Sequence, residues 1–181
     1  ECFAPNIAQM HVINHLTGEP VEGETRNVLV EAARIARGNI RDITQATVAE
    51  FDALLVPGGF GAAKNLSNFA VAGAAMDVQP DFLALARAFH DSGKPIGLIC
   101  IAPVMSAAIC GEGARCTIGN DADTAAAITA MGGAHLPCPV SEARVDVTHK
   151  LVTTPAYMLA GKVSEAYAGI SACVQEVLAL A

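Results

Sequence analysis

Cys100 is the residue in this chain best placed to do chemistry. Lys94-Pro95-Ile96-Gly97-Leu98-Ile99 ahead of it reads as a buried strand, and Ile101-Ala102-Pro103-Val104-Met105 behind it opens a small-residue helix. A side chain at such a strand-to-helix elbow is held at the carboxyl edge of a sheet, with the amides of the next helix start directed at it. Amides and a helix dipole in that position favour a thiolate, the reactive form of cysteine. A small core thiol has the same neighbours, so nucleophile and packed Cys stand side by side at this point.

A second element sits at another strand end. Gly58-Gly59-Phe60-Gly61 follows the apolar stretch Ala53-Leu54-Leu55-Val56. Successive amides in such a turn can cradle an anion or a developing oxyanion. The plain alternative is a tight turn that needs positive φ. The stretch has neither the Gly-x-x-x-x-Gly-Lys-Ser/Thr pattern of a phosphate loop nor Gly-x-Gly-x-x-Gly. Paired with an elbow Cys on another strand, the oxyanion reading gains weight. Gly58, Gly59, Phe60, Gly61 and Ile101 are then the candidate oxyanion and substrate contacts. Lys64 and Asn65 either reach the same cleft or form a first helical turn, and Thr153 and Thr154, which end another strand, are expected to approach Cys100 from the side.

The elements that must position these residues alternate along the chain. Helical spacing runs from Glu24 to Arg37, stopped by Gly38, and from Pro80 to Ser92, stopped by Gly93. Ala53–Val56 and Pro95–Ile99 are apolar strands, with a helix start near Ala62 and a helix from Ile101 to Cys110. Cys116 to Ile118 reads as a strand and Thr124 to Met131 as a helix. Ala143–Val147 and Lys150–Thr154 alternate as a hairpin around Thr148-His149. A last helix from about Lys162 to Leu180 is expected to bury Val163, Tyr167, Ile170, Val174, Val177 and Leu178. Strands and helices in alternation, with uniformly apolar strands, predict an α/β sandwich with a mostly parallel sheet covered on both faces. In such sheets the site lies beyond the carboxyl ends of the strands, where both the glycine turn and Cys100 fall.

Composition narrows the partners. The 181 residues suit one domain over 1–181. The net charge of −7, with no Lys/Arg cluster, argues against nucleic acid or an anionic membrane. No apolar run is long enough to span a bilayer, and no signal-peptide pattern opens the chain. The six Cys are scattered without Cys-x-x-Cys pairs, which fits a reducing, cytosol-like compartment. The chain opens at Glu1, and Cys2-Phe3-Ala4-Pro5 reads as the end of a strand already inside a domain, so an amino-terminal piece is expected ahead of it.

Val56-Pro57-Gly58-Gly59-Phe60-Gly61-Ala62-Ala63-Lys64-Asn65-Leu66-Ser67, taken with Lys94-Pro95-Ile96-Gly97 and Cys100-Ile101-Ala102-Pro103, resembles the ElbB-type glyoxalases. These are a branch of the PfpI and class I glutamine-amidotransferase-like superfamily. Asn14-His15-Leu16-Thr17-Gly18, Glu24-Thr25-Arg26-Asn27-Val28-Leu29 and Val152-Thr153-Thr154-Pro155-Ala156-Tyr157-Met158 carry the resemblance across essentially the whole chain. It implies a flavodoxin-like sandwich with Cys100 at the nucleophile elbow. It implies cofactor-free, metal-free conversion of glyoxal, and by extension methylglyoxal, to the hydroxy acid (a glyoxalase III-like activity). It further implies a small aldehyde as partner, a homodimer, and a cytoplasmic location, mitochondrial in an animal.

Two departures qualify what carries over. Family members have a further strand and helix ahead of the position of Cys2, and a Glu from that segment lies close to the nucleophile; Glu1 does not match it. Amidotransferase and PfpI-type members place a His after the Cys, where this chain has Ile101, as the ElbB branch does. A glutaminase triad is therefore not supported. The expected route is thiolate addition, proton transfer through an enediol-like state, and thioester hydrolysis. A redox- or electrophile-sensing thiol, or a partner-binding subunit with little catalysis, is the alternative.

The remaining polar residues are read more plainly. His15 sits in a loop, as a surface or capping residue or as part of the cleft wall. His135 and Cys138 have ligand-like spacing but lack further ligands, so a packed loop is the default and no metal is expected. His11, His90 and His149 read as surface residues. Cys110, Cys116 and Cys173 read as core, and Asp121 and Asp123 as capping charges of the next helix.

Overall fold

The computed structural model describes residues 1–181. Eight strands and six α-helices alternate along the chain: β1 (Phe3–Ala4), α1 (Val28–Ala36), β2 (Arg41–Asp42), β3 (Leu54–Val56), α2 (Phe69–Ala72), α3 (Pro80–Asp91), β4 (Ile96–Ile99), α4 (Ser106–Cys110), β5 (Arg115–Cys116), α5 (Ala122–Ala130), β6 (Ala134–His135), β7 (Arg144–Asp146), β8 (Leu151–Thr154) and α6 (Val163–Leu180). The central sheet has the order β3-β4-β8-β7. β3, β4 and β8 are parallel, and β7 closes one edge antiparallel to β8. β1 and β2 form a separate parallel pair, as do β5 and β6. An apolar groove of about 660 Å³ is walled by Phe3 and Ala4 of β1, Leu54 and Val56 of β3, Phe82 of α3 and Val177 of α6 among others.

Adjacent strand residues point to opposite faces, and the two cores follow that rule. Leu98 and Leu151 enter a cluster of 18 buried residues shared with Phe82, Ala86 and Phe89 of α3. Their neighbours Ile99 and Val152 enter a second cluster with Cys173 and Val177 of α6. The sheet is thus covered on both faces, and this is the physical reason its strands read as unbroken apolar runs.

Several predicted elements shift when tertiary structure decides. α1 starts at Val28 rather than Glu24, because the Asn27 side chain caps it by accepting the Val30 N–H at 3.1 Å. Asp121 caps α5 in the same way, accepting from Thr124 N at 2.8 Å, as expected of it. The helix predicted over Ile101–Cys110 is a 3₁₀ turn, Ala102–Met105, followed by the short α4. The buried face of α6 is corrected most. Val163, Tyr167 and Leu178 are 75%, 72% and 68% exposed, while Ala166, Gly169, Cys173 and Val177 are buried. Small residues form the contact stripe because the helix backbone comes very close: a Cβ on Gly169 would lie 2.2 Å from the Val140 carbonyl oxygen.

The hairpin end of the sheet is pinned by a buried carboxylate. Asp146 is almost fully buried and accepts from Arg115 N (2.7 Å), Thr148 N (3.1 Å) and His149 N (3.3 Å), with His149 Nδ1 at 2.8 Å. His149 is therefore half-buried and stacks on His90 at 6.0 Å, so neither is the ordinary surface residue expected. Burial pushes the Asp146 carboxyl up, but the bonds from Arg115 and His149 outweigh it and hold the group below its usual range. A depressed folded-state pKa contributes stability above the unfolded value of about 3.9, which is lost as pH falls through the folded value. Asp146→Ala leaves two strand ends and His149 without their acceptor. It is expected to cost about 2–3 kcal/mol at pH 7 and to flatten the acid limb of the stability–pH curve, as measured by urea unfolding between pH 2 and 7.

Candidate active site

Val56 of β3 pairs with Leu98 of β4, and Gly58 and Cys100 each lie two residues beyond that pair. Equal overshoot from a parallel register brings the glycine turn against the elbow. The fit is close enough to require glycine. A Cβ on Gly58 would stand 2.5 Å from the Ile99 carbonyl oxygen, 2.6 Å from Cys100 Cβ and 2.9 Å from the Ile101 nitrogen.

Cys100 has φ 64°, in the left-handed region that costs a non-glycine residue about 1–2 kcal/mol. Tertiary structure holds it there: the Cys100 N–H donates to the Thr154 carbonyl at 2.9 Å, and Ile99 is in register with Thr154. A strained residue between strand and helical turn is the geometry of a nucleophile elbow. The thiol is partly exposed. Behind it the helical segment is short, so its dipole is weaker than a ten-residue helix would supply.

The other predicted site residues divide. Gly59 takes φ 82° and is the only glycine of the turn that needs positive φ; Gly61 is already right-handed helical. Phe60 is 75% exposed, with the Lys64 ammonium 5.0 Å from its ring centroid. Ala62–Leu66 winds as a π-helical turn, a form often found at functional sites. Within it Asn65 turns its Oδ1 to the Met10 N–H at 2.9 Å, which ties residues 8–21 to the turn. Ile101 stands at the elbow in helical conformation. Thr154 is fully buried, and its hydroxyl donates to the Glu142 carbonyl at 2.8 Å. Its contact with Cys100 is made by the main chain, while its hydroxyl is turned to Glu142. Thr153 accepts from Thr117 N at 2.9 Å and is likewise internal.

No group of three or more His, Cys, Asp or Glu is gathered as a metal site. His135, expected in a packed loop despite its ligand-like spacing to Cys138, has burial lowering its pKa, and its Nε2 accepts from the Ile118 N–H at 3.4 Å. Four thiols are silenced by burial: Cys110 and Cys173 are pushed up to about 12, Cys116 to about 11, and Cys138 upward. Iodoacetamide on the native protein at pH 8 should therefore label Cys2 and Cys100, the two accessible thiols, at least about a hundredfold faster than these four. Peptide mass mapping over time reads the ratio directly.

With this geometry in place, similarity to known proteins becomes informative. No family model matches the chain. Human glutamine amidotransferase-like class 1 domain-containing protein 3, mitochondrial, is 48% identical over 189 residues, covering 99% of this chain and 70% of that protein. The chain belongs to this glutamine amidotransferase-like class 1 family. A second member, the rat ES1 protein homolog, mitochondrial, is 47% identical over 98% of the chain and 70% of its own length. The crystal structure of an isoprenoid biosynthesis protein with amidotransferase-like domain from Ehrlichia chaffeensis superposes with TM-score 0.90 at 38% identity, over 100% of this chain and 83% of that one. The amidotransferase-like α/β fold read from the sequence is thus the fold observed. No helix of this family member is long and apolar enough to cross a membrane.

Proposed function

We propose that this chain carries the Cys-dependent site of a cofactor-independent glyoxalase, converting glyoxal, and by extension methylglyoxal, to the hydroxy acid. The observation that supports it is Cys100 at φ 64° with Gly58 pressed against it, an arrangement that costs stability and that packing alone does not require.

The reaction is balanced by one water. The Cys100 thiolate adds to an aldehyde carbon, and the resulting alkoxide takes a proton to give a hemithioacetal. The amides near Gly59 and Ile101 offer hydrogen bonds to the oxygen as charge builds on it. A base removes the proton from the hemithioacetal carbon, and reprotonation of the enediol at the neighbouring carbon leaves a hydroxyacyl thioester. Water then cleaves the thioester, releasing glycolate (lactate from methylglyoxal) and the thiol. The ElbB resemblance gives that base role to a Glu. The mitochondrial names of the human and rat relatives support a mitochondrial location for an animal protein, and the scattered unpaired thiols support a reducing one.

Following glyoxal by ¹³C NMR tests the reading: glycolate must accumulate in many-fold excess over protein. Stoichiometric oxidation of Cys100 by peroxide, with no glycolate formed, would instead favour a sensing thiol.

A further inference from the structure

A cavity of about 470 Å³ adjoins the glycine turn, with Phe60 and Gly61 in its wall. Its wall includes His11 and His15 from the segment tied down by Asn65, Arg26 and Glu31 around the start of α1, and Phe60 and Lys64 from the turn. In a chain of net charge −7, two cationic groups here are left poorly compensated. Glu31 is engaged by Arg34, which donates Nε–H to Oε2 at 2.6 Å and a terminal N–H to Oε1 at 3.2 Å. Arg26 reaches the same carboxylate only at 3.6 Å. The Lys64 ammonium has no carboxylate within 4 Å and rests over the Phe60 ring.

His11 lines the same wall, but its Nδ1 is shut off from solvent, so no ion in the cavity reaches that atom. A concave wall with a guanidinium and an ammonium suits a small oxyanion, which accepts charge-assisted hydrogen bonds from both.

We infer that this cavity is a binding site for a small oxyanion, the carboxylate or phosphate group of a low-molecular-weight ligand, held by Arg26 and Lys64 beside the glycine turn. The site is separate from the thiol chemistry and is tested by binding, without turnover. The intact protein is titrated with inorganic phosphate, and separately with acetate, at constant ionic strength set by chloride. The ring protons of its five His are followed by ¹H NMR. Saturable shifts confined to His11 and His15 are expected, and the anion that saturates first assigns the group. Lys64→Gln and Arg26→Gln should each weaken binding by about tenfold, with thermal midpoints unchanged in the absence of anion. Shifts that drift without saturating, as chloride alone would produce, or wild-type affinity in both variants, would overturn the inference.

Discussion

Gly58→Ala is expected to destabilise the protein by about 3 kcal/mol or more, lowering the thermal midpoint by about 6–12 °C. The added methyl meets the Ile99 carbonyl oxygen, Cys100 Cβ and the Ile101 nitrogen at 2.5, 2.6 and 2.9 Å. Two of these are main-chain atoms and none is the tip of a flexible side chain, so strand β4 or the turn itself must move. The neighbouring glycines separate this steric cause from turn strain. Gly59→Ala meets nothing within 4 Å but must hold φ 82°, at a cost of about 1–2 kcal/mol. Gly61→Ala also meets nothing and is already right-handed, so it should be neutral or stabilising by up to about 1 kcal/mol. Thermal denaturation of the three variants should rank them Gly58, Gly59, Gly61 from most to least destabilised. Equal effects would mean that the glycines serve a flexible turn, with no close approach to the elbow.

The second large effect is on chemistry. Cys100→Ser should lower glyoxal turnover by at least about a thousandfold, because a serine hydroxyl is a far weaker nucleophile without an assigned base beside it. Stability should change little, since the side chain is partly exposed and serine meets the same positive φ. Loss of turnover with an unchanged midpoint identifies the thiol; loss of both would report a folding defect instead.

What could be read in advance follows physical cause. The parallel sheet was legible because strands covered on both faces are uniformly apolar, and Leu98, Ile99, Leu151 and Val152 are buried on alternating sides. The elbow was legible because an apolar strand runs straight into Cys100 and then Pro103. The hidden parts depend on distance. Of the large apolar residues expected on the buried face of α6, Val177 is buried as expected, but Ala166, Gly169 and Cys173 make up the rest of that face, because the close approach at Gly169 leaves room for small side chains. Thr154 sits beside Cys100, yet only its carbonyl reaches it; which atom of a neighbour makes contact is a matter of register and not of residue type. Asp146 and His149 gave little signal, since a buried acid three residues from a His looks like an exposed turn until Arg115 is brought up to it. The one hint was that the pair falls in the tight connection of a hairpin.

The most direct test of Cys100 as nucleophile is to follow its alkylation and the loss of glyoxal turnover in a single time course. Iodoacetamide is added to the native protein, aliquots are quenched, and each is assayed for glycolate formation and for carboxamidomethyl-Cys100 by peptide mass. A nucleophilic Cys100 requires the two curves to coincide, turnover reaching zero as Cys100 modification reaches one per chain, whatever the state of Cys2. A protein fully modified at Cys100 that still forms glycolate at the original rate would contradict it.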